Sequence, residues 1–124
     1  MSNKVLIIDD DPRNIFALAA TLKAKGFQCI STLSAREGIE LLKRDESIKI
    51  VLLDMMLPDM DGYEALGVIR ENSQLAAKPV IAVTAQAMVG DREKCLEAGA
   101  NDYVAKPIDV DKLLAVMNDY LKND

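Results

Sequence analysis

The feature that most restricts how this 124-residue chain can fold is an alternation, repeated five times, between a short apolar run and an amphipathic stretch with helical spacing. Residues 5–8, 50–53 and 80–83, with a weaker run at 103–105, are continuously apolar, as strands covered on both faces require. Residues 28–33 are more polar and suit a strand nearer an edge. The intervening stretches carry helix ends. Pro12 opens the first, Ile15, Leu18, Ala19 and Leu22 form its stripe, and Gly26 closes it. Ser34 with Glu37 reads as a capping box for the second. The third starts near Gly62 or Tyr63 and runs to about Asn72, with Leu66 and Ile69 facing in. Asp91 caps the fourth, which Gly99 ends, and Asp109 caps a fifth with Leu113, Leu114 and Met117 on its inner face.

Right-handed crossovers leave one good solution for such a chain, a parallel sheet covered by helices on both sides. The spacing predicts a doubly wound α/β fold, a flavodoxin-like (βα)5 unit with strand order 2-1-3-4-5, and residues 1–124 as one domain. In that order the chain reverses direction between strands 1 and 3, and a crevice opens at their carboxyl ends. Functional residues are therefore expected just after strands 1, 3, 4 and 5.

Composition narrows the chemistry. Fifteen Lys plus Arg against twenty Asp plus Glu give a net charge of −5, which argues against nucleic acid or an anionic membrane as partner. No run reaches membrane-spanning length or has signal-peptide form, so a cytoplasmic location is expected. Histidine is absent, which removes the commonest general base and transition-metal ligand. Cys29 and Cys95 show no CxxC spacing and read as reduced core thiols.

The strand ends carry Asp9, Asp10 and Asp11, then Asp54, then Thr84, then Lys106-Pro107. Each has an ordinary explanation alone: Asp11 before Pro12 as an N-cap, Thr84 as a strand former, Lys106 as a solvated charge. Together they are harder to dismiss. With strands 1 and 3 adjacent, Asp9 or Asp10 and Asp54 share one crevice, where like charges repel. A cation would offset this, and an all-oxygen donor set favours Mg²⁺ or Mn²⁺. A hard cation, an ammonium and a hydroxyl around one carboxylate suit phosphoryl transfer, with Asp54 as nucleophile.

The acidic pair Asp9-Asp10, Asp54 followed by Leu57-Pro58 and Asp61-Gly62, then Thr84-Ala85, and Tyr103 ahead of Lys106-Pro107 resemble the receiver domain of two-component response regulators, over essentially the whole chain. That resemblance implies that Asp54 accepts a phosphoryl group from a phosphohistidine on a histidine kinase or histidine phosphotransfer protein. It implies Mg²⁺ ligation by Asp10, Asp54 and the backbone carbonyl of Met56, with Asp9 acting through water or as a further ligand. Lys106 would pair with a phosphoryl oxygen, and its bond to Pro107 would be cis. Thr84 would move toward the phosphoryl group, and Tyr103 would turn inward as the second switch residue. The surface of helix 4, strand 5 and helix 5 would then present the change to a partner, with the protein a monomer or a phosphorylation-dependent dimer. The stretches 84–88 and 90–95 also resemble receivers attached to hybrid sensor kinases.

In this family the positions of Met56 and Gln86 flank the phosphoryl group and influence water access. Methionine cannot orient water strongly, so slow to intermediate phosphate loss is expected. Rival readings meet specific obstacles. A haloacid dehalogenase-like phosphohydrolase needs an Asp where Met56 stands, and a flavodoxin phosphate loop would be repelled by three aspartates. A degenerate, purely interacting receiver is disfavoured because every expected site residue is present. The domain is thus expected to be a phosphoacceptor switch and not a turnover enzyme.

Overall fold

The computed structural model describes residues 3–85 and 90–121. Strands and helices alternate as β1 (Lys4–Ile8), α1 (Pro12–Ala24), β2 (Gln28–Thr32), α2 (Ala35–Arg44), β3 (Ile48–Asp54), α3 (Gly62–Glu71), β4 (Val80–Thr84), α4 (Asp91–Ala98), β5 (Asp102–Ala105) and α5 (Val110–Leu121). All pairings are parallel and the order is β2-β1-β3-β4-β5.

Two apolar layers explain why the strands read as continuous apolar runs. Leu6, Ile8, Val51, Leu53, Val80 and Ala82 point to the side covered by α2, α3 and α4, where Ile39, Leu42, Leu66, Ile69 and Cys95 meet them. The alternate residues Val5, Ile7, Ile50, Leu52, Ile81 and Val83 face α1 and α5, against Ile15, Leu22, Leu113 and Met117. Each fully buried Leu or Ile of these layers contributes about 1.5–3 kcal/mol relative to exposure.

Local signals set the ends of the elements. The Asp11 side chain accepts from Arg13 N and Pro12 occupies the first turn of α1, while Gly26 takes φ +94° where the chain turns into β2. Ser34 Oγ accepts from Glu37 N at 3.2 Å and bonds Glu37 Oε1 at 3.1 Å, a side-chain version of the expected box. Asp61 caps α3 through Glu64 N at 2.9 Å. Asp109 receives the Asp111 and Lys112 amides at the start of α5. The start of α4 differs from expectation: Gly90, at φ +94° and without a side-chain cap bond, is the N-cap, and Asp91 is the first helical residue. The left-handed turn that Gly90 supplies moves the cap one residue earlier, and leaves Asp91 in the first turn, where its charge suits the helix dipole. Strand β3 begins at Ile48, two positions before the apolar run: half-buried Lys49 interrupts the apolar pattern and falls where the β1–β3 register shifts, between the Lys4–Ile48 and Val5–Ile50 pairs.

At the amino end of the sheet Arg70 makes four bonds. Its Nε donates to Gly99 O at 2.8 Å, Nη1 to Ala76 O at 3.1 Å and Lys78 O at 2.7 Å, and Nη2 to Asn101 Oδ1 at 2.8 Å. Asn101 Oδ1 also accepts from Val80 N at 2.8 Å, and its carbonyl accepts from Tyr120 Oη at 2.8 Å. This links α3, β4, the α4–β5 turn and α5 opposite the crevice, and leaves the carboxyl ends of the strands to carry chemistry.

Candidate functional site

Sheet register assembles the site. Ile8 pairs with Leu53, Asp54 with Val83, and Thr84 with Ala105, so the residues that follow or end β1, β3, β4 and β5 emerge side by side. Asp9, Asp54 and Thr84 are the buried polar or charged residues among those described, at 7%, 4% and 5% exposure. Burial of two carboxylates in adjacent strands is costly unless charge and hydrogen bonds offset it.

Lys106 supplies part of that offset. Its Nζ lies 3.3 Å from Asp54 Oδ2 and 3.4 Å from Asp9 Oδ2. The position of Lys106 follows from the backbone, since its amide donates to Thr84 O at 2.8 Å. The Lys106-Pro107 peptide bond is cis. Burial pushes the Lys106 ammonium toward lower pKa, but Asp54 and Asp9 beside it outweigh burial and hold it above the usual lysine range.

The remaining carboxylate oxygens are held by turn amides. Asp9 Oδ1 accepts from Asp11 N at 2.9 Å, and Asp54 Oδ1 accepts from Met56 N at 2.9 Å. Asp10 is exposed at the mouth. Asp9, Asp10 and Asp54 each bring a carboxylate oxygen within 4.8 Å of the others, a spacing that one hard divalent cation can bridge. One lysine ammonium cannot neutralise three carboxylates, so the residues present fit such an ion. The Met56 side chain is 55% exposed at the rim.

The loop between β3 and α3 is fixed on both sides of Met56. Met55 and Leu57 are buried, Met55 N donates to Val83 O at 2.9 Å, and Gly62 N donates to Met55 O at 3.1 Å. Gly62 is required here, because a Cβ would lie 2.7 Å from Met55 Cα. Beside the site, a cavity of about 290 Å³ between α1 and the β5–α5 connection is walled by Asp9, Asn14, Leu18, Lys106 and Ile108.

Tyr103 does not join the carboxylates. It is half-buried against the α2–α4 layer, and burial raises its phenol pKa, with Asp91 and Cys95 adding to the effect. Gln86 lies outside the described residues. Both cysteines are free; burial pushes the Cys29 and Cys95 thiols up, away from nucleophilic thiolate. Sequence reasoning passed over Asp59, whose carboxylate accepts from Ala35 N at 3.3 Å and Arg36 N at 3.2 Å at the start of α2. That pairing spans 24 residues in sequence, and no local motif announces it.

The family model for the response regulator receiver domain matches residues 5–118. The chain belongs to that family. Among curated relatives of this receiver domain, the polar-differentiation response regulator DivK of Brucella ovis is 33% identical over 121 residues, covering 98% of each chain. A solved receiver domain of a sensor histidine kinase from Pseudomonas aeruginosa, with a magnesium ion coordinated in its active-site cleft, is 32% identical, with a TM-score of 0.86 and coverage of 97% and 98%. The Saccharomyces cerevisiae Ssk1 receiver domain, solved with the phosphotransfer protein Ypd1, has a TM-score of 0.87 at 23% identity, covering 96% of this chain and 88% of that one, a likeness of fold. The chain is accordingly a two-component signalling receiver. Among the described residues, no helix is long and apolar enough to cross a membrane.

Proposed function

We propose that this receiver domain is an Mg²⁺-dependent phosphoacceptor in which Asp54 is the phosphorylated residue, acting as a cytoplasmic switch over residues 1–124. The observation that carries the reading is the triad of Asp9, Asp10 and Asp54 with the Lys106 ammonium bridging two of its members. Asp10, Asp54 and the Met56 carbonyl would hold the metal, with Asp9 as a further ligand or acting through water; Mn²⁺ meets the same donor set. Bound there, the ion supplies charge neutralisation for the incoming phosphoryl oxygens.

A carboxylate oxygen of Asp54 attacks phosphorus, the P–N bond to a donor imidazole breaks, and the electron pair of that bond returns to the departing imidazole. The product is an acyl phosphate on Asp54. Lys106 releases one of its carboxylate contacts to pair with a phosphoryl oxygen, and its raised pKa keeps it charged throughout the neutral range. The Thr84 hydroxyl donates to another phosphoryl oxygen, and the movement of its loop lets Tyr103 turn inward. The α4–β5–α5 surface then changes for a protein partner.

Because the chain has no histidine, the phosphohistidine comes from a partner, a histidine kinase or histidine phosphotransfer protein. Nucleic acid and membrane are not partners, and the active form is a monomer or a phosphorylation-dependent dimer. Exposed Met56 offers attacking water no strong hydrogen bond, so phosphate is lost slowly to moderately; Gln86 is the other residue expected to tune that rate.

Intact-mass measurement after incubation with acetyl phosphate and Mg²⁺ tests the assignment. One added phosphate on the wild type and none on Asp54→Asn is expected. A phosphate on both, or on neither, overturns it.

A further inference from the structure

The two halves of the acidic site sit on separate loops, Asp9-Asp10 after β1 and Asp54 to Met56 after β3, and a chain of hydrogen bonds connects them on the outer side. Asp9 N donates to Thr32 O at 3.2 Å. Thr32 Oγ1 donates to Ser34 O at 3.1 Å, across the turn into α2. The first two amides of α2, Ala35 N and Arg36 N, donate to the two oxygens of Asp59 at 3.3 and 3.2 Å. Asp59 lies three residues beyond Met56 in the loop that Met55 and Leu57 anchor.

We infer that Thr32 and Asp59 are positioning residues, which through the β2–α2 turn form a strut that fixes the Met56 segment relative to the Asp9-Asp10 loop. This inference rests on the metal site proposed above and concerns how that site is held open to the right width. The physical case is one of satisfied groups. The amides at a helix start have no intrahelical partner, and here Ser34 takes the Glu37 amide while a carboxylate from another loop takes two more. Asp59 is exposed and so carries no core packing duty. Bidentate attachment to α2 is what it does, and this removes freedom from the loop whose Met56 carbonyl would serve the metal site proposed above. Thr32 extends the connection to β1 without any charge, which separates a mechanical role from an electrostatic one.

The experiment is isothermal titration of the full chain with MgCl2, for wild type, Asp59→Ala, Thr32→Val and the double variant, with hydrogen exchange of residues 55–61 measured in EDTA. Asp59→Ala is expected to weaken Mg²⁺ binding by about 3- to 10-fold and Thr32→Val by about 2- to 5-fold, less than the loss of a group bonded directly to a ligand. The double variant should be no weaker than about Asp59→Ala alone, because both break one chain in series. Amides 55–61 should exchange faster in each single variant. Wild-type affinity in Thr32→Val, or a double variant equal to the product of the singles, overturns the strut and leaves a charge effect of Asp59. If the wild type itself takes up no Mg²⁺, the metal site is wrong, and unchanged exchange at 55–61 would then separately refute the strut. Asp59→Asn keeps one acceptor and should fall between wild type and Asp59→Ala, which keeps the test available if the alanine variant folds poorly.

Discussion

Replacing Asp54, the proposed phosphoacceptor, by its neutral isostere is expected to stabilise the metal-free protein, because of how its carboxylate is surrounded. In Asp54→Asn the attraction to Lys106 Nζ at 3.3 Å is lost, and so is the repulsion from Asp9, whose nearest oxygen lies within 4.8 Å. At an effective dielectric of about 20 the attraction is worth about 5 kcal/mol and the repulsion at least about 3.5 kcal/mol. Asp10 adds a smaller repulsion, screened by its exposure. The Coulomb contributions therefore cancel to within about 1.5 kcal/mol, and the desolvation of a carboxylate, several kcal/mol for a buried ion, decides the sign. The carboxamide oxygen of the substituted side chain can still accept from Met56 N, and Lys106 keeps Asp9. A net gain of about 1–2 kcal/mol follows, or roughly 4 °C per kcal/mol in melting temperature for a domain of this size. Thermal melts in EDTA and in excess Mg²⁺ provide the assay. Metal at 100-fold above its Kd should add about 2.7 kcal/mol to the wild type and much less to Asp54→Asn, so the order of stabilities closes or reverses. A variant that melts lower than wild type in EDTA, or gains as much from Mg²⁺, refutes the reasoning.

Three further outcomes can be checked by denaturant or acid titration. Gly62→Ala should destabilise by about 1–2 kcal/mol, as the clash with Met55 outweighs the helix propensity gained, whereas Gly67→Ala in the same helix, with nothing within 4 Å of its Cβ, should stabilise by about 0.5–1 kcal/mol. Arg70→Lys should cost about 2–3 kcal/mol in urea unfolding, close to Arg70→Ala, since a point ammonium cannot span Gly99, Ala76, Lys78 and Asn101. Asp45 is held at about 2 by the Lys4 ammonium and the Ser47 hydroxyl and amide. Its folded pKa lies below the ordinary 3.8, so its contribution is present above that pH and is lost as pH falls toward 2; stability should fall less steeply over that window in Lys4→Met.

The strand order and the residues at the carboxyl ends were legible because both depend on near-neighbour patterns. A parallel strand buried on both faces must be apolar throughout, as in residues 50–53, so a change to Asp at 54 marks the point where the chain leaves the core. Topology then gathers such exits on one edge without knowledge of any side-chain contact. Helix starts with a side-chain cap, at Asp11, Ser34, Asp61 and Asp109, follow from residues two or three positions apart and were equally accessible. The start of α4 was not, because a left-handed Gly90 leaves no side-chain partner to recognise.

What the sequence hid has a common physical form: single polar groups that satisfy helix ends or strand edges far away in the chain. Asp59 reaches α2, Arg70 reaches the α4–β5 turn, and the Tyr120 hydroxyl reaches the Asn101 carbonyl, at separations of 24, 29 and 19 residues. None alters hydrophobic periodicity, which is the signal that reports a fold. Yet these bonds determine how firmly each loop is held, and the division between them follows the sheet: the Arg70–Asn101 network ties its amino end together, whereas at the carboxyl end Lys106 and turn amides only partly offset a surplus of negative charge. A switch needs that asymmetry. In the proposed switch, rigidity at one end would let a change of one phosphoryl group at the other displace the surrounding loops, instead of being absorbed by a general loosening of the layers beneath them.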